Sequence, residues 1–137
     1  MHDSSAARIW SLNHRVLTRV MNDCAPEIEA LGLEAKEFFV LGEIDGCPYP
    51  AELAVRLVLP KPSVTVYVKN LEAKGFVRRD IDPTDLRRHR LAVTPQGVQT
   101  LDKALEVLSA KFDEWLVRLD TDEQAELQRL LAKLLSE

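Results

Sequence analysis

Between Lys61 and Arg90 this 137-residue chain carries eight basic residues: Lys61, Lys69, Lys74, Arg78, Arg79, Arg87, Arg88 and Arg90. The acids of the same stretch are Glu72, Asp80, Asp82 and Asp85, so it holds a surplus of four positive charges. The rest of the chain has ten basic and eighteen acidic residues, which brings the formal total to −4. Attraction to phosphate follows the local potential within a Debye length of about 8–10 Å, not the whole-chain sum. The chemistry available to this run is therefore capture of a polyanion, the alternative being a solvated charged loop. Bond-making chemistry lacks its parts. His2, His14 and His89 stand far apart, and no HExxH, GxSxG or glycine-rich phosphate loop occurs. The five glycines read as turn and cap residues. No catalytic residue, metal or other cofactor is expected, and the protein reads as a non-enzyme. Cys24 and Cys47 form no CxxC pair, hence neither a disulfide framework nor a zinc cluster.

The length suits one domain. At 46% hydrophobic and 29% charged residues the chain falls among folded globular proteins. No apolar run nears the roughly 18 residues of a membrane span, so no membrane partner is expected. The polar start Met1-His2-Asp3-Ser4-Ser5 lacks the features of a signal peptide, and a cytoplasmic location is the expectation.

The elements that must position the basic run can be read from periodicity. A first helix is expected from about Ala6 to Cys24, with Ile9, Leu12, Val16 and Val20 on one face and Trp10, Leu17, Met21 and Cys24 on the adjoining one. Pro26 interrupts that pattern and Gly32 marks a break. A second helix follows over about Glu34 to Asp45, with Phe38, Leu41 and Val40 or Ile44 inward. Pro50 suits the first position of a short helix reaching Leu57, with Leu53, Ala54 and Leu57 inward. Val58-Leu59-Pro60 is a turn, and Lys61 to Lys74 is a helix ended by Gly75 as a left-handed cap. Two helices joined by so short a turn have helix-turn-helix spacing. After Gly75 the period changes: Phe76–Ile81 and His89–Thr94 read as strands of a hairpin with an arginine-rich tip. The order helix, turn, helix, hairpin makes a winged helix.

Two more helices complete the chain. Thr94 and Pro95 open the first, whose Leu101, Leu105, Leu108, Phe112, Trp115 and Leu119 form an a/d seam. Thr121-Asp122-Glu123-Gln124 reads as the capping box of the last, which has Leu127, Leu130, Leu131, Leu134 and Leu135 on one side. These helices hold more apolar face than one small core covers. A dimer interface built from both chain ends is the preferred expectation, an intramolecular helical hairpin the alternative. The fold class is mainly α (α+β): a single winged-helix domain over 1–137, with the helix-turn-helix at about 50–75, the wing at about 76–94, and dimerisation helices at about 6–31 and 95–136.

On the helix from Lys61, Val64, Tyr67, Val68 and Leu71 share an inward face at about 100° per residue. Pro62, Val66, Lys69 and Ala73 then point outward, flanked by Ser63, Thr65 and Asn70. In a major groove Ser63 and Thr65 would bond bases or phosphates, Lys61 the backbone or a guanine, and Lys69 a phosphate. Val66 either has no role there or meets a thymine methyl, the one apolar group that groove displays. Arg87 at the hairpin tip can enter a narrow minor groove, and Asp85 can hold its guanidinium in a bidentate pair. A surface ion pair without function is the bland alternative.

Three stretches resemble the MarR family of bacterial transcriptional regulators. They are Ala51-Glu52-Leu53-Ala54; Pro62-Ser63-Val64-Thr65 with Leu71-Glu72-Ala73-Lys74-Gly75-Phe76-Val77; and Asp82-Pro83-Thr84-Asp85-Leu86-Arg87 closed by Leu91-Ala92-Val93-Thr94-Pro95-Gln96-Gly97. The resemblance implies a homodimer whose second motif helix enters the major groove of a near-palindromic double-stranded DNA operator while the wing reaches the minor groove. It implies a repressor released by a small aromatic or phenolic effector. It makes Asp85-Leu86-Arg87 the minor-groove element and gives Arg88 and Arg90 phosphate contacts. An effector pocket lined by Trp10, His14 and Met21 is a further expectation. This chain departs from the family in having Val58-Leu59-Pro60 where a glycine and a serine cap are usual, and Val66 where a polar or basic residue is common. Two other readings stand beside this one: a winged helix that binds proteins, and a regulator that senses oxidants through Cys24.

Overall fold

The structure, a computed structural model, describes residues 4–136. His2 and most of the polar start lie outside that range. The chain is mainly helical with one small sheet: α1 (Ser5–Ala30), α2 (Ala35–Glu43), α3 (Pro50–Leu57), α4 (Lys61–Ala73), β1 (Val77–Ile81), β2 (His89–Val93), α5 (Pro95–Leu116) and α6 (Thr121–Leu135). The strands pair antiparallel, with Val77 opposite Val93, Arg79 opposite Leu91 and Ile81 opposite His89. The result is a winged helix with helices at both chain ends. No helix among the described residues is long and apolar enough to cross a membrane.

α1 runs six residues past the expected stop at Cys24. Pro26 sits inside it, and an interior proline costs roughly 3 kcal/mol through a lost hydrogen bond and a steric clash. The helix continues because Cys24 and Ile28, one on each side of the proline, are both buried in the core. Its start is fixed by Ser4, whose hydroxyl accepts a hydrogen bond from Ala7 N at 3.1 Å.

The core is built around the centre of the chain. Val20, Cys24 and Ile28 of α1 meet Phe38, Val40 and Leu41 of α2, Leu53 and Ala54 of α3, and Val64, Val68 and Leu71 of α4. Phe76, Val77 and Leu91 extend it under the sheet, and Ala104 of α5 closes it. Of the expected α5 seam, Leu105 is exposed and the other members are half-buried; the buried residues of that helix are Gly97 and Ala104.

One cap differs from the expected one, and a second is unanticipated. The box that starts α6 is one residue earlier: Asp120 Oδ1 accepts from Glu123 N at 2.8 Å, and Glu123 Oε1 accepts from Asp120 N at 3.0 Å. A carboxylate caps there, and Thr121 becomes the first helical residue. In α2, Glu37 Oε1 accepts from Glu34 N at 2.9 Å and also takes Lys74 Nζ at 2.6 Å, which pins the end of α4 to the start of α2 through a buried carboxylate.

Gly75 adopts the left-handed conformation expected of a cap, at φ +81°. Gly42 and Gly97 lie inside helices instead of in turns or caps. At Gly97 the reason is close approach, since a Cβ there would lie 2.1 Å from the carbonyl oxygen of Phe76. Thr94 completes the joint by accepting from Gly97 N at 3.0 Å and donating to Gly75 O at 2.6 Å. The first turn of α5 is thereby held against the end of the helix-turn-helix.

Candidate nucleic-acid interface

α3 and α4 are joined by Val58-Leu59-Pro60. Val58 is left-handed at φ 54° although it is a β-branched residue, a conformation that costs of order 1–2 kcal/mol outside glycine. Its side chain points into solvent, so no clash adds to that cost. α4 begins at Lys61 with Pro62 in its first turn, and no side chain caps its N-terminus. Val64, Val68 and Leu71 are buried and Tyr67 half-buried. Lys61, Pro62, Thr65, Val66, Lys69, Asn70 and Ala73 form the outer face, with Val66 53% exposed at its centre. Ser63 is half-buried, at the edge of this face. The hydroxyl of Thr65 donates to Lys61 O at 3.0 Å, so only its acceptor capacity remains for an outside partner.

The wing tip is an ordered turn. Arg88 N donates to Asp85 O and Asp82 N to Arg88 O, each at 3.0 Å. Asp82, only 2% exposed, accepts from Thr84 N at 2.8 Å and from Thr84 Oγ1 at 2.7 Å, both at Oδ1. Its Oδ2 is buried and closes no hydrogen bond of good geometry. The Tyr49 hydroxyl nevertheless acts on this carboxyl, and with the Thr84 donors it holds Asp82 far below the usual carboxylate range. The same interaction pushes the Tyr49 phenol up.

Neighbouring arginines at the tip have opposite fates. Arg87 projects with its side chain 92% exposed. The expected bidentate pair with Asp85 is not formed: a single oxygen, Oδ1, takes both Arg87 Nε at 3.3 Å and Arg87 N at 3.0 Å. The two donors converge on one atom because the turn places the backbone N–H there as well. Arg88, expected to meet phosphate, folds back onto the body. Its Cζ lies 3.7 Å from the centroid of the Tyr49 ring, and its Nη2 lies 3.3 Å from Glu52 Oε1.

The three-dimensional charge pattern is sparser than the linear count. Lys74 pairs with Glu37, Arg78 with Asp80, Arg79 with Glu72, Arg87 with Asp85 and Arg88 with Glu52. Lys61, Lys69 and Arg90 have no ion-pair partner among the described residues. Within this stretch the cations most open to a polyanion are these three and Arg87, whose side chain stays 92% exposed beside its Asp85 pair. Sequence reasoning missed Tyr49, Glu52 and Asp82 as parts of the site. Asp82-Pro83 signalled a turn, but nothing local signalled contacts across more than thirty residues.

The residues expected to line an effector pocket are not gathered into one. Trp10 and His14 stack on the exposed half of α1, ring centroids 6.3 Å apart, whereas Met21 lies about three turns along the helix and is half-buried. One surface groove, of about 540 Å³, lies along α5 at Leu108, Phe112 and Leu116. A second, of about 460 Å³, lies between the wing and the α2–α3 loop at Ile44, Arg78, Arg90 and Leu91. Neither includes Trp10, His14 or Met21; the half of α1 that carries Trp10 and His14 stands clear of the core. Cys24 is buried, and burial pushes its thiol up, with Lys111 opposing, which suits a small hydrophobe better than a reactive thiolate.

Residues 31–88, from the end of α1 to the wing, match the model of the MarR family. A Thauera aromatica protein named as a transcriptional regulatory protein for the hcr operon is 37% identical over 82 residues, 60% of this chain and 49% of that protein. The transcriptional regulator HosA of Escherichia coli O111:H- is 30% identical over 79 residues, 58% of either chain. The matches thus span about half the length of these relatives. Among solved structures, wild-type MarR from E. coli superposes with a TM-score of 0.76 at 26% identity, covering 92% of this chain and 96% of that one. A cysteine-to-serine mutant of MarR complexed with operator DNA gives 0.75 at 26% identity over 94% of each chain. The organohalide-sensing regulator RdhR in its 2,4-dichlorophenol-bound form shares the fold, at 0.76 and 22% identity, over 96% of this chain and 79% of that one. The matched centre and the likeness of nearly the whole chain to MarR agree with the geometry of helix pair and wing: over residues 31–88 this chain is similar to the MarR family, and it shares the winged-helix fold of MarR.

Proposed function

We propose that the protein is a sequence-specific DNA-binding transcriptional regulator that works in the cytoplasm as a homodimeric repressor. The observation that carries this reading is the pairing of two exposed elements. The outer face of α4, with Lys61, Thr65, Val66, Lys69 and Asn70, suits a major groove, and the exposed guanidinium of Arg87 suits the adjacent minor groove. Arg90, exposed and without an ion pair among the described residues, supplies a phosphate contact. The likeness to MarR, solved with operator DNA, supports the same use of the fold. Dimerisation follows from the apolar residues that α1 and α6 leave in solvent: Ile9, Trp10, Leu12 and Leu17 at one end, Leu130, Leu131, Leu134 and Leu135 at the other. Twofold symmetry then sets two recognition helices on the half-sites of a near-palindromic operator.

An aromatic or phenolic effector releases the DNA in this reading. The fold shared with RdhR, solved with 2,4-dichlorophenol, supports the ligand class. The pocket would be completed by the second chain, which also accounts for Trp10, His14 and Met21 lining neither of the two grooves described in a single one. A mobility-shift titration on the DNA upstream of the protein's own gene, at two salt concentrations, tests the core of the proposal. A specific, salt-sensitive shift is expected. Absence of any specific shift at low salt overturns it in favour of a protein-binding winged helix.

A further inference from the structure

A two-stranded hairpin is marginally stable by itself, so a wing that presents one arginine at a fixed angle needs an anchor beyond its own strand pairing. β1 and β2 are held at their base by the buried side chains of Val77 and Leu91 and by Leu91 N donating to Pro48 O at 2.8 Å. Beyond Leu91 the tip makes only local backbone bonds, and these converge on residue 88. Its N–H closes on Asp85 and its carbonyl on Asp82, each at 3.0 Å. Whatever holds the Arg88 side chain therefore holds the turn that carries Arg87.

That side chain is held by the body of the domain. Its guanidinium lies face-on to the Tyr49 ring at 3.7 Å and reaches Glu52 at 3.3 Å, the two residues straddling the start of α3. Tyr49 is itself fixed, as the N-cap residue of α3 with Pro50 immediately after it. Its hydroxyl acts on the buried Asp82 at the other end of the tip turn. Tyr49 thus carries Arg88 on its ring at one end of the loop and acts electrostatically on Asp82 at the other. Arg88 is 44% exposed at the side chain, against 92% for Arg87.

We propose that Arg88 is a positioning residue that clamps the wing to the start of α3 through Tyr49 and Glu52 and so sets the pitch at which Arg87 meets DNA. The inference rests on the wing's use in DNA binding. It replaces a phosphate contact by a strut, and the two roles separate cleanly. Each lost phosphate contact flattens the plot of log affinity against log salt by about 0.9, whereas a lost strut lowers affinity without removing a contact. Lysine restores a phosphate contact but lacks the planar fork that stacks on a ring and meets a carboxylate together.

Arg88→Gln, Arg88→Lys, Tyr49→Leu and the Arg88→Gln/Tyr49→Leu pair are titrated on operator DNA across a salt series. Amide hydrogen exchange is followed at Leu91 in the free protein. The expected result is a loss of about tenfold in both Arg88 variants and in Tyr49→Leu, with the salt slope unchanged. The double variant loses no more than either single one, and Leu91 exchange quickens in each. Rescue of affinity by lysine, a slope reduced by about one, additive losses, or unchanged Leu91 exchange overturns the clamp. If Tyr49→Leu fails to fold, the Arg88 pair carries the same decision. Wild-type protein that binds no operator overturns the functional reading instead, and the exchange measurement still decides the clamp.

Discussion

From Leu33 to Leu91, the inward faces of α2, α3, α4 and the sheet bury their large apolar side chains within the one chain. From Ser5 to Arg19 no residue is buried, and α6 contributes none although leucine is its commonest residue. Both regions show helical apolar periodicity, yet only the central one finds its partners in the same molecule. Five elements cross at the centre and cover one another. The first half of α1 and the whole of α6 leave much of their apolar side in solvent. An apolar stripe therefore states that a face is to be covered, and the surrounding geometry states by what.

Substitutions at the two regions should differ accordingly, and the largest effect is expected at the centre. Leu71→Ala, which empties a fully buried site, should cost about 2–5 kcal/mol in urea unfolding, while Leu134→Ala should cost little in the isolated chain. Equal losses would remove the contrast. Next, Ile9→Asp together with Leu130→Asp places charge on both exposed ends. Light scattering should show the mass fall from two chains to one with the helical content retained; an unchanged mass would return these faces to ordinary surface.

The smaller effects sharpen the role of the central region. Arg87→Ala should lower DNA affinity broadly and reduce the salt slope by about one. The Asp82 carboxyl titrates lower in the folded chain than its ordinary value of 3.8, so the unfolded chain binds more protons between the two values and stability rises with pH there. That contribution is complete above the ordinary carboxylate range and fades as pH falls through it. The stability gap between wild type and Asp82→Asn should accordingly be widest near neutral pH and narrow below about pH 4. Smallest of all, Val66→Ala should weaken binding only at operators with a thymine under that position, and a uniform loss on every sequence would exclude the methyl contact.

Local chemistry explains why so much of this was legible beforehand. The start of α3 at Pro50, the stop of α4 at Gly75, the Thr94-Pro95 opening of α5 and the buried face through Val64, Val68 and Leu71 depend on residues within a turn or two. The exposed face of α4 followed by subtraction. Reading went astray where distant groups decided. Pro26 is an expected helix breaker until Cys24 and Ile28 are seen in the core, and Gly97 resembles a loop glycine until the Phe76 carbonyl is seen against it.

Arg87 and Arg88 mark the boundary between the two kinds of information. From the sequence alone they are consecutive charges at a hairpin tip, and composition, periodicity and turn chemistry determine that they sit there. Only the folded chain sends one into solvent and lays the other on Tyr49, because the ring and the Glu52 carboxylate approach from thirty-six or more residues away. Element order, caps and helix faces are set by interactions between near neighbours along the chain. The division of a charge run into contacts and struts is set by tertiary proximity, which no local pattern carries.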